Sequence, residues 1–324
     1  MSCAAASRPP IVTIVGPTAA GKTTLAIDLC ERLGGEIVGA DSVQVYRHCD
    51  IGSGKPTREE LRGIAHHLID IVDPNTAIDA AQFAQLADRA IEDVASRGHL
   101  PIVVGGTGLW LRALLLGLAE LPAVDAQLRA QLEEHFLREG ASAMHRKLAE
   151  VDPISAATIH PNDQLRVVRA LEVHAQTGTP LGEIRRAHAL GGPRYPILGL
   201  YVDLPLALYR AVVVQRVRTM LAAGFEREVR DLLDRYGADI RALGAVGYRQ
   251  MRDYVLQTRS DSDLSSEVCV EADIVRATEQ YARRQRNWFR SDQTINLRLD
   301  PAEARNAITL NAIQRHLDRH AARA

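Results

Sequence analysis

The apolar run Ile11-Val12-Thr13-Ile14-Val15 leads directly into Gly16-Pro17-Thr18-Ala19-Ala20-Gly21-Lys22-Thr23, a complete G-x-x-x-x-G-K-T phosphate loop. This octapeptide works only where a buried strand ends in a tight turn and a helix follows, and Leu25, Leu29 and Leu33 supply the helical spacing. In such a loop the backbone N–H groups converge on an anion and the helix adds its positive end. Lys22 contributes a point charge, and Thr23 is placed to ligate Mg²⁺. A glycine-rich turn with an incidental lysine would not account for four fixed positions in this context. The loop grips a phosphate, but it does not say which one or what becomes of it.

The first part of the chain alternates apolar runs with helical patterns: a strand at 11–15, a helix at about 22–33, a strand at 36–40, a strand-like stretch at 68–72, a helix at about 80–97, a strand at 101–104 and a helix at about 108–116. The alternation predicts an α/β fold, a P-loop NTPase-like parallel sheet flanked by helices. From Asp125 to His188 no strand pattern appears, only helical patterns broken at Gly140, Asp152-Pro153, His160-Pro161 and Thr179-Pro180. This stretch reads as an all-helical insertion domain. Residues 1–120 are then the first part of the core, 121–195 the insertion, and 196–324 the second part with C-terminal helices. A strand at 197–203 resumes the sheet, long helices run to about 290, and a short strand near Thr294–Leu297 precedes a closing helix.

With 324 residues, 46% hydrophobic and 24% charged, the chain has the size and composition of a globular enzyme. No apolar stretch approaches the roughly 20 residues that span a bilayer, and Met1 to Pro10 lacks a signal-peptide apolar region. A cytoplasmic location without a membrane partner is expected. Cys3, Cys30, Cys49 and Cys269 show no metal-ligand spacing and read as reduced packing thiols. The net charge of −1 would argue against a nucleic-acid partner, but a total can hide local segregation. Of 39 lysines and arginines only Lys22, Lys55 and Lys147 are lysines, so arginine stands wherever any cation serves. A guanidinium does not replace a compact ammonium. Lys22 is therefore a position where arginine would not fit. Lys55 is either a second such position or an exposed loop lysine.

Nucleotide hydrolases with this loop carry a second apolar strand ending in an aspartate that orders Mg²⁺. Here Pro101-Ile102-Val103-Val104 ends in Gly105-Gly106-Thr107, which permits close approach of a ligand but supplies no carboxylate. Leu68-Ile69-Asp70-Ile71 is a short substitute. The missing acid is offered by Asp41, which follows Glu36-Ile37-Val38-Gly39-Ala40 at the carboxyl end of a parallel strand, where ligands of open sheets bind. Its alternative is to cap a following helix. His66-His67 invites a metal reading, but neighbouring residues diverge and no third ligand is suitably spaced, so hydrogen bonding in a loop is expected.

The phosphate loop, Asp41-Ser42-x-Gln44-x-Tyr46-Arg47, Asp50-Ile51-Gly52, His66-His67-Leu68-Ile69-Asp70 and Gly105-Gly106-Thr107-Gly108-Leu109 occur in this order in one family. The chain resembles the bacterial tRNA dimethylallyltransferases. The likeness continues through Arg166 to Val173, Arg216 to Gly224, Gly247-Tyr248-Arg249-Gln250, Tyr281 to Gln285 and Trp288-Phe289-Arg290, and covers about residues 11–292.

The resemblance implies transfer of a five-carbon dimethylallyl group from dimethylallyl diphosphate to N6 of the adenosine just 3′ of the anticodon, in tRNAs reading codons that begin with U. Residues 16–23 would hold the diphosphate. Lys22, Thr23 with Mg²⁺, and Arg216 would stabilise its departing charge, and Asp41 would be the general base. Asp41, Ser42, Val43, Gln44, Thr107, Arg129, Leu165, Arg166 and Arg169 fall on positions that contact tRNA in the family, with the insertion clamping the anticodon stem-loop. A monomer is expected. Arg283, Arg284, Arg286 and Arg290 flank Trp288 and would touch either diphosphate or RNA. Two positions depart from the family: Trp110 replaces a usual tyrosine, and Leu165 replaces a usual glutamine. The alternatives are an adenylate prenyltransferase, a small-molecule kinase of the same loop class, and a non-catalytic RNA-binding protein.

Overall fold

The computed structural model describes residues 8–189, 191–260, 267–301 and 303–321, and Cys3 lies outside them. The chain forms two compact units. One comprises Met1–Leu115 with Pro193–Ala324, and the other Leu116–Gly192.

The first unit holds β1 (Ile11–Val15), α1 (Lys22–Leu33), β2 (Gly35–Ala40), α2 (Arg58–Leu61), β3 (His66–His67), α3 (Ala80–Ser96), β4 (Leu100–Gly105) and α4 (Gly108–Leu116). Every residue of β1, β2 and β4 is buried, as strands of a parallel sheet covered on both faces require. After the helical unit the chain returns with β5 (Ile197–Val202), α10 (Leu206–Ala222), α11 (Phe225–Tyr236), α12 (Tyr248–Ser260), α13 (Glu267–Phe289), β6 (Leu297–Leu299) and α14 (Ala307–Ala321).

The six strands lie in the order β3-β2-β4-β1-β5-β6, all parallel. Val15 and Ala40 are both level with Gly105, so β1, β4 and β2 end in one row. Two strand spacings put the ends of β1 and β2 about 10 Å apart. On one face Leu25, Ile27, Leu29 and Cys30 of α1 pack with Val12, Ile14, Ile37, Ile102 and Leu200 of the sheet and Ile313 of α14. Burial pushes the Cys30 and Cys49 thiols up to about 12, which makes both inert packing groups. No described helix is long and apolar enough to cross a membrane.

Two sequence expectations shift. The strand expected at 68–72 is the two-residue edge β3, because Leu68 and Asp70 take φ of 64° and 55° and turn the chain away. The strand expected near Thr294–Leu297 is Leu297–Leu299. Asp292 Oδ1 accepts from both the backbone N–H and the hydroxyl of Thr294 and holds a turn there first.

The helical unit contains α5 (Ala126–Glu139), α6 (Ala141–Val151), α7 (Pro153–Ala156), α8 (Gln164–Thr177) and α9 (Leu181–Ala189), and no strand among its described residues. Its core is Phe136, Met144, Leu148, Val167, Val168, Val173 and Leu181. Two buried acids organise the chain breaks. Asp152 accepts from the Ser155 and Gly182 amides at 2.9 Å each. Glu172 accepts from the Asp125 amide at 3.0 Å and pairs with Arg129 at 2.6 Å and Arg169 at 3.0 Å.

Candidate active site

The phosphate loop begins at Gly16, where φ is 150° and a Cβ would stand 2.0 Å from the Val202 carbonyl oxygen, so only glycine lets the ends of β1 and β5 run side by side. Ala19 and Gly21 follow in the left-handed region, with φ of 62° and 78°. No side chain caps α1, and its first-turn N–H groups are left to an anion. Lys22 Nζ donates to the Pro17 carbonyl at 2.6 Å, curling back over the loop. Burial pushes this ammonium down to about 8. Asp41 and Asp203 pull it back up, and Arg216 works against it.

Asp41 leaves the end of β2 with its two oxygens in different roles. Oδ1 accepts from the Val43 and Gln44 amides at 2.9 and 3.3 Å. Oδ2 has no hydrogen bond to the described residues. The residues that follow form a turn and no helix, so the carboxylate caps a turn with one oxygen and keeps the other. Beside it the Ser42 amide donates to Thr107 Oγ1 at 3.1 Å, joining the β2 and β4 ends. Gln44 Nε2 donates to the Ser53 and Gly54 carbonyls at 3.2 Å each. Tyr281 of α13 reaches the same place: burial pushes its phenol up to about 12, and both Asp41 and the Thr107 hydroxyl act on it.

Arg216 on α10 is half-buried beside Gly54. A Cβ on Gly54 would lie 2.1 Å from Nη2, which itself is 3.5 Å from the Ser53 carbonyl. Burial lowers the guanidinium's affinity for its proton, and Asp41 is the largest opposing attraction. The loop that accommodates Arg216 is held from behind. Glu228 accepts from the amides of Asp50, Ile51 and Gly52 at 2.9, 2.6 and 3.1 Å, and the Tyr248 hydroxyl donates to Glu228 at 2.7 Å. Lys55 is no exposed loop lysine: its ammonium donates to the Tyr46 carbonyl at 2.6 Å, to Asp50 at 2.7 Å and to Asp70. That tie also occupies Asp70, the short substitute for a strand-end acid.

A second strand-end acid does exist. Asp203 follows β5 beside the phosphate loop, but Arg286 binds it bidentately at 2.7 and 2.8 Å and Tyr201 donates to it at 2.9 Å. Arg286 also lies over the ring of Tyr209, 4.2 Å from its centroid, and the Tyr209 hydroxyl donates to the Thr18 carbonyl, so this member of the arginine cluster is on the phosphate-loop side. The expectation of a ligand approaching Gly105 and Gly106 changes too, and Gly108 behaves like them. The close approaches come from the protein itself: a Cβ would meet the Ala40 carbonyl at 2.1 Å, Gln285 Nε2 at 2.3 Å and Trp288 Nε1 at 2.4 Å respectively.

Each of the other expected residues has surroundings of its own. His66 and His67 form β3 and not a loop. His67 Nε2 meets Glu36 at 2.6 Å, and burial pushes His66 down to about 4. Trp110 is buried and stacked on Phe83 with centroids 4.3 Å apart, so the departure from tyrosine falls in the core. In the helical unit Arg129 and Arg169 are committed to Glu172, whereas Arg166 is 62% exposed and Leu165 78% exposed.

Among the described residues no three His, Cys, Asp or Glu side chains could hold a metal ion together. A Mg²⁺ that keeps waters and substrate phosphate oxygens needs few protein donors, and the Thr23 hydroxyl in the first turn of α1 is suited to be one of them.

The profile of a family described as IPP transferase matches residues 44–292. A tRNA dimethylallyltransferase of Myxococcus xanthus is 45% identical over 92% of this chain and 95% of its own length. One from Symbiobacterium thermophilum is 44% identical over 93% and 92%. The chain is also similar to the crystal structure of a Bacillus halodurans tRNA isopentenylpyrophosphate transferase, with a TM-score of 0.68, 34% identity, and 97% and 98% of the two chains covered. A eukaryotic dimethylallyltransferase captured acting on tRNA gives a TM-score of 0.74 at 26% identity, over 94% and 78% of the chains.

Proposed function

The chain belongs to the IPP transferase family, and from that premise we propose that its crevice transfers the dimethylallyl group of dimethylallyl diphosphate to N6 of the adenosine just 3′ of the anticodon in tRNAs reading codons that begin with U. The observation that carries this reading is the charge arrangement: a carboxylate at the end of β2, with one oxygen free of hydrogen bonds to the described residues, is electrostatically coupled to two half-buried cations, Lys22 of the phosphate loop and Arg216 of α10. The exocyclic amine of adenine is a poor nucleophile because its lone pair is delocalised. Asp41 Oδ2 accepts its hydrogen bond, orients it and takes the proton as nitrogen bonds to C1. The C1–oxygen bond breaks in the same step, and charge develops on the diphosphate oxygen. The loop amides, Lys22 and Arg216 stabilise that charge where it forms.

The Thr23 hydroxyl would be the protein group that holds Mg²⁺, which would supply further charge neutralisation to the leaving group. Thr23→Ala is therefore expected to shift the Mg²⁺ titration of activity to higher concentration, and an unchanged titration removes Thr23 from the metal. The acceptor base must leave its stack, which a single-stranded anticodon loop allows. Ser42, Val43, Gln44 and Thr107 line the acceptor side of Asp41, and the exposed Arg166 gives the helical unit a phosphate contact. We place the reaction in the cytoplasm.

A kinase reading is disfavoured because β4 ends in glycine and Asp203 is neutralised by Arg286. The test is incubation with dimethylallyl diphosphate, Mg²⁺, an anticodon stem-loop and free AMP, followed by nucleoside mass analysis of the RNA and of the free nucleotide. A prenylated adenosine is expected, and unmodified RNA with prenylated free AMP overturns the reading.

A further inference from the structure

Thr18, inside the phosphate loop, is gripped at both ends of its backbone. Its amide donates to Gln285 Oε1 at 2.9 Å, and its carbonyl accepts from the Tyr209 hydroxyl at 2.9 Å. The other half of the same Gln285 amide, Nε2, donates to the Gly106 carbonyl at 2.9 Å. One side chain, 6% exposed, thus spans from the loop after β1 to the loop after β4. Gly106 is followed by Thr107, whose hydroxyl accepts from the Ser42 amide next to Asp41.

We infer that Gln285 is a positioning residue that keeps the diphosphate loop and the acceptor-side loop in fixed register, so that the departing C1–oxygen bond lies in line with the amine on Asp41. The inference rests on the proposed prenyl transfer. Gln285 itself touches neither group. Its amide is suited to this task because it offers an acceptor and a donor from one rigid plane, and both loops present the matching backbone group. Neighbouring residues on α13 reinforce the same joint. Arg286, bound to Asp203, lies over the ring of Tyr209, the residue that holds Thr18 from its carbonyl side, and Trp288 closes on Gly108. The absence of a Cβ on Gly106 is what lets the amide approach.

Misplacement of reacting groups by about 1 Å can cost on the order of 10²-fold in rate, whereas each loop keeps its own ligand groups if the bridge is lost. The expected signature is therefore a loss of turnover without a matching loss of either binding step. Gln285→Met preserves shape and removes both hydrogen bonds. With saturating dimethylallyl diphosphate and stem-loop, its kcat should fall at least 10-fold. Calorimetric Kd values for inorganic diphosphate alone and stem-loop alone should each change less than about 3-fold. Gly106→Ala, which pushes Nε2 aside while leaving the glutamine in place, should reproduce the kcat loss. A kcat within twofold of wild type in both variants overturns the inference, as does a kcat loss matched by an equal loss of diphosphate affinity. If Gln285→Met does not fold, Gly106→Ala alone decides between these outcomes. A wild-type enzyme that binds stem-loop and diphosphate but makes no prenylated adenosine contradicts the proposed reaction instead.

Discussion

Asp41→Asn is expected to lower turnover by roughly 10²-fold or more while leaving RNA affinity within about threefold, measured by steady-state product formation and by filter binding of an anticodon stem-loop. The substitution separates the two oxygens of this residue. Asparagine Oδ1 still accepts from the Val43 and Gln44 amides, so the turn that presents Ser42 to Thr107 survives. What is lost is the carboxylate Oδ2, which we propose takes the amine proton. Asp41→Ala also removes the side-chain hydrogen bonds to the Val43 and Gln44 amides and adds about 1 kcal/mol of destabilisation, so a larger effect on melting is expected from alanine than from asparagine. The asparagine variant carries a second signature. Asp41 helps Lys22 keep its proton, so without its charge the alkaline limb of diphosphate binding should move to lower pH. Turnover near that of wild type would remove Asp41 as the base.

What the sequence made legible was whatever is written locally. The phosphate loop is contiguous, and its turn and helix start are fixed by residues within eight positions, so β1, Gly16–Thr23 and α1 follow from the order of residues alone. Asp41 was legible from its place after an apolar strand. Asp203 bears the same signal, an acid after Leu200-Tyr201-Val202, yet its meaning depends on Arg286, 83 positions away, which neutralises it. Gly105 and Gly106 announced a close approach but not what approaches, and the answer, Ala40 and Gln285, comes from other elements. In the helical unit the Arg169–Glu172 pair is a spacing of three along one helix and could be read as such. The Arg129–Glu172 pair joins α5 to α8 and could not. Arg129 and Arg169, both expected to contact tRNA, are therefore held by Glu172 in this chain.

Lys22→Arg tests whether the rarity of lysine in this chain marks a physical requirement. Only three of 39 Lys and Arg residues are lysines. Lys22 is the one folded into the phosphate loop, with Nζ 2.6 Å from the Pro17 carbonyl. A guanidinium is broader, planar and directional, and cannot occupy the position of a compact ammonium under a turn of this size. The loss in kcat/KM for dimethylallyl diphosphate should therefore be roughly 10²-fold or more, although the formal charge is unchanged. Its pH dependence identifies the cause. Lysine ordinarily titrates near 10.5, and burial brings Lys22 to about 8. The cationic form that binds diphosphate is therefore full below that pH, and binding by the wild type should weaken as pH rises through it. Arginine stays charged over that range, so the residual activity of Lys22→Arg should lack the alkaline limb while its magnitude stays low. If the variant keeps a limb near pH 8, another group titrates there. If it keeps wild-type kcat/KM, the loop reads charge alone and the compactness of lysine is not what this position selects.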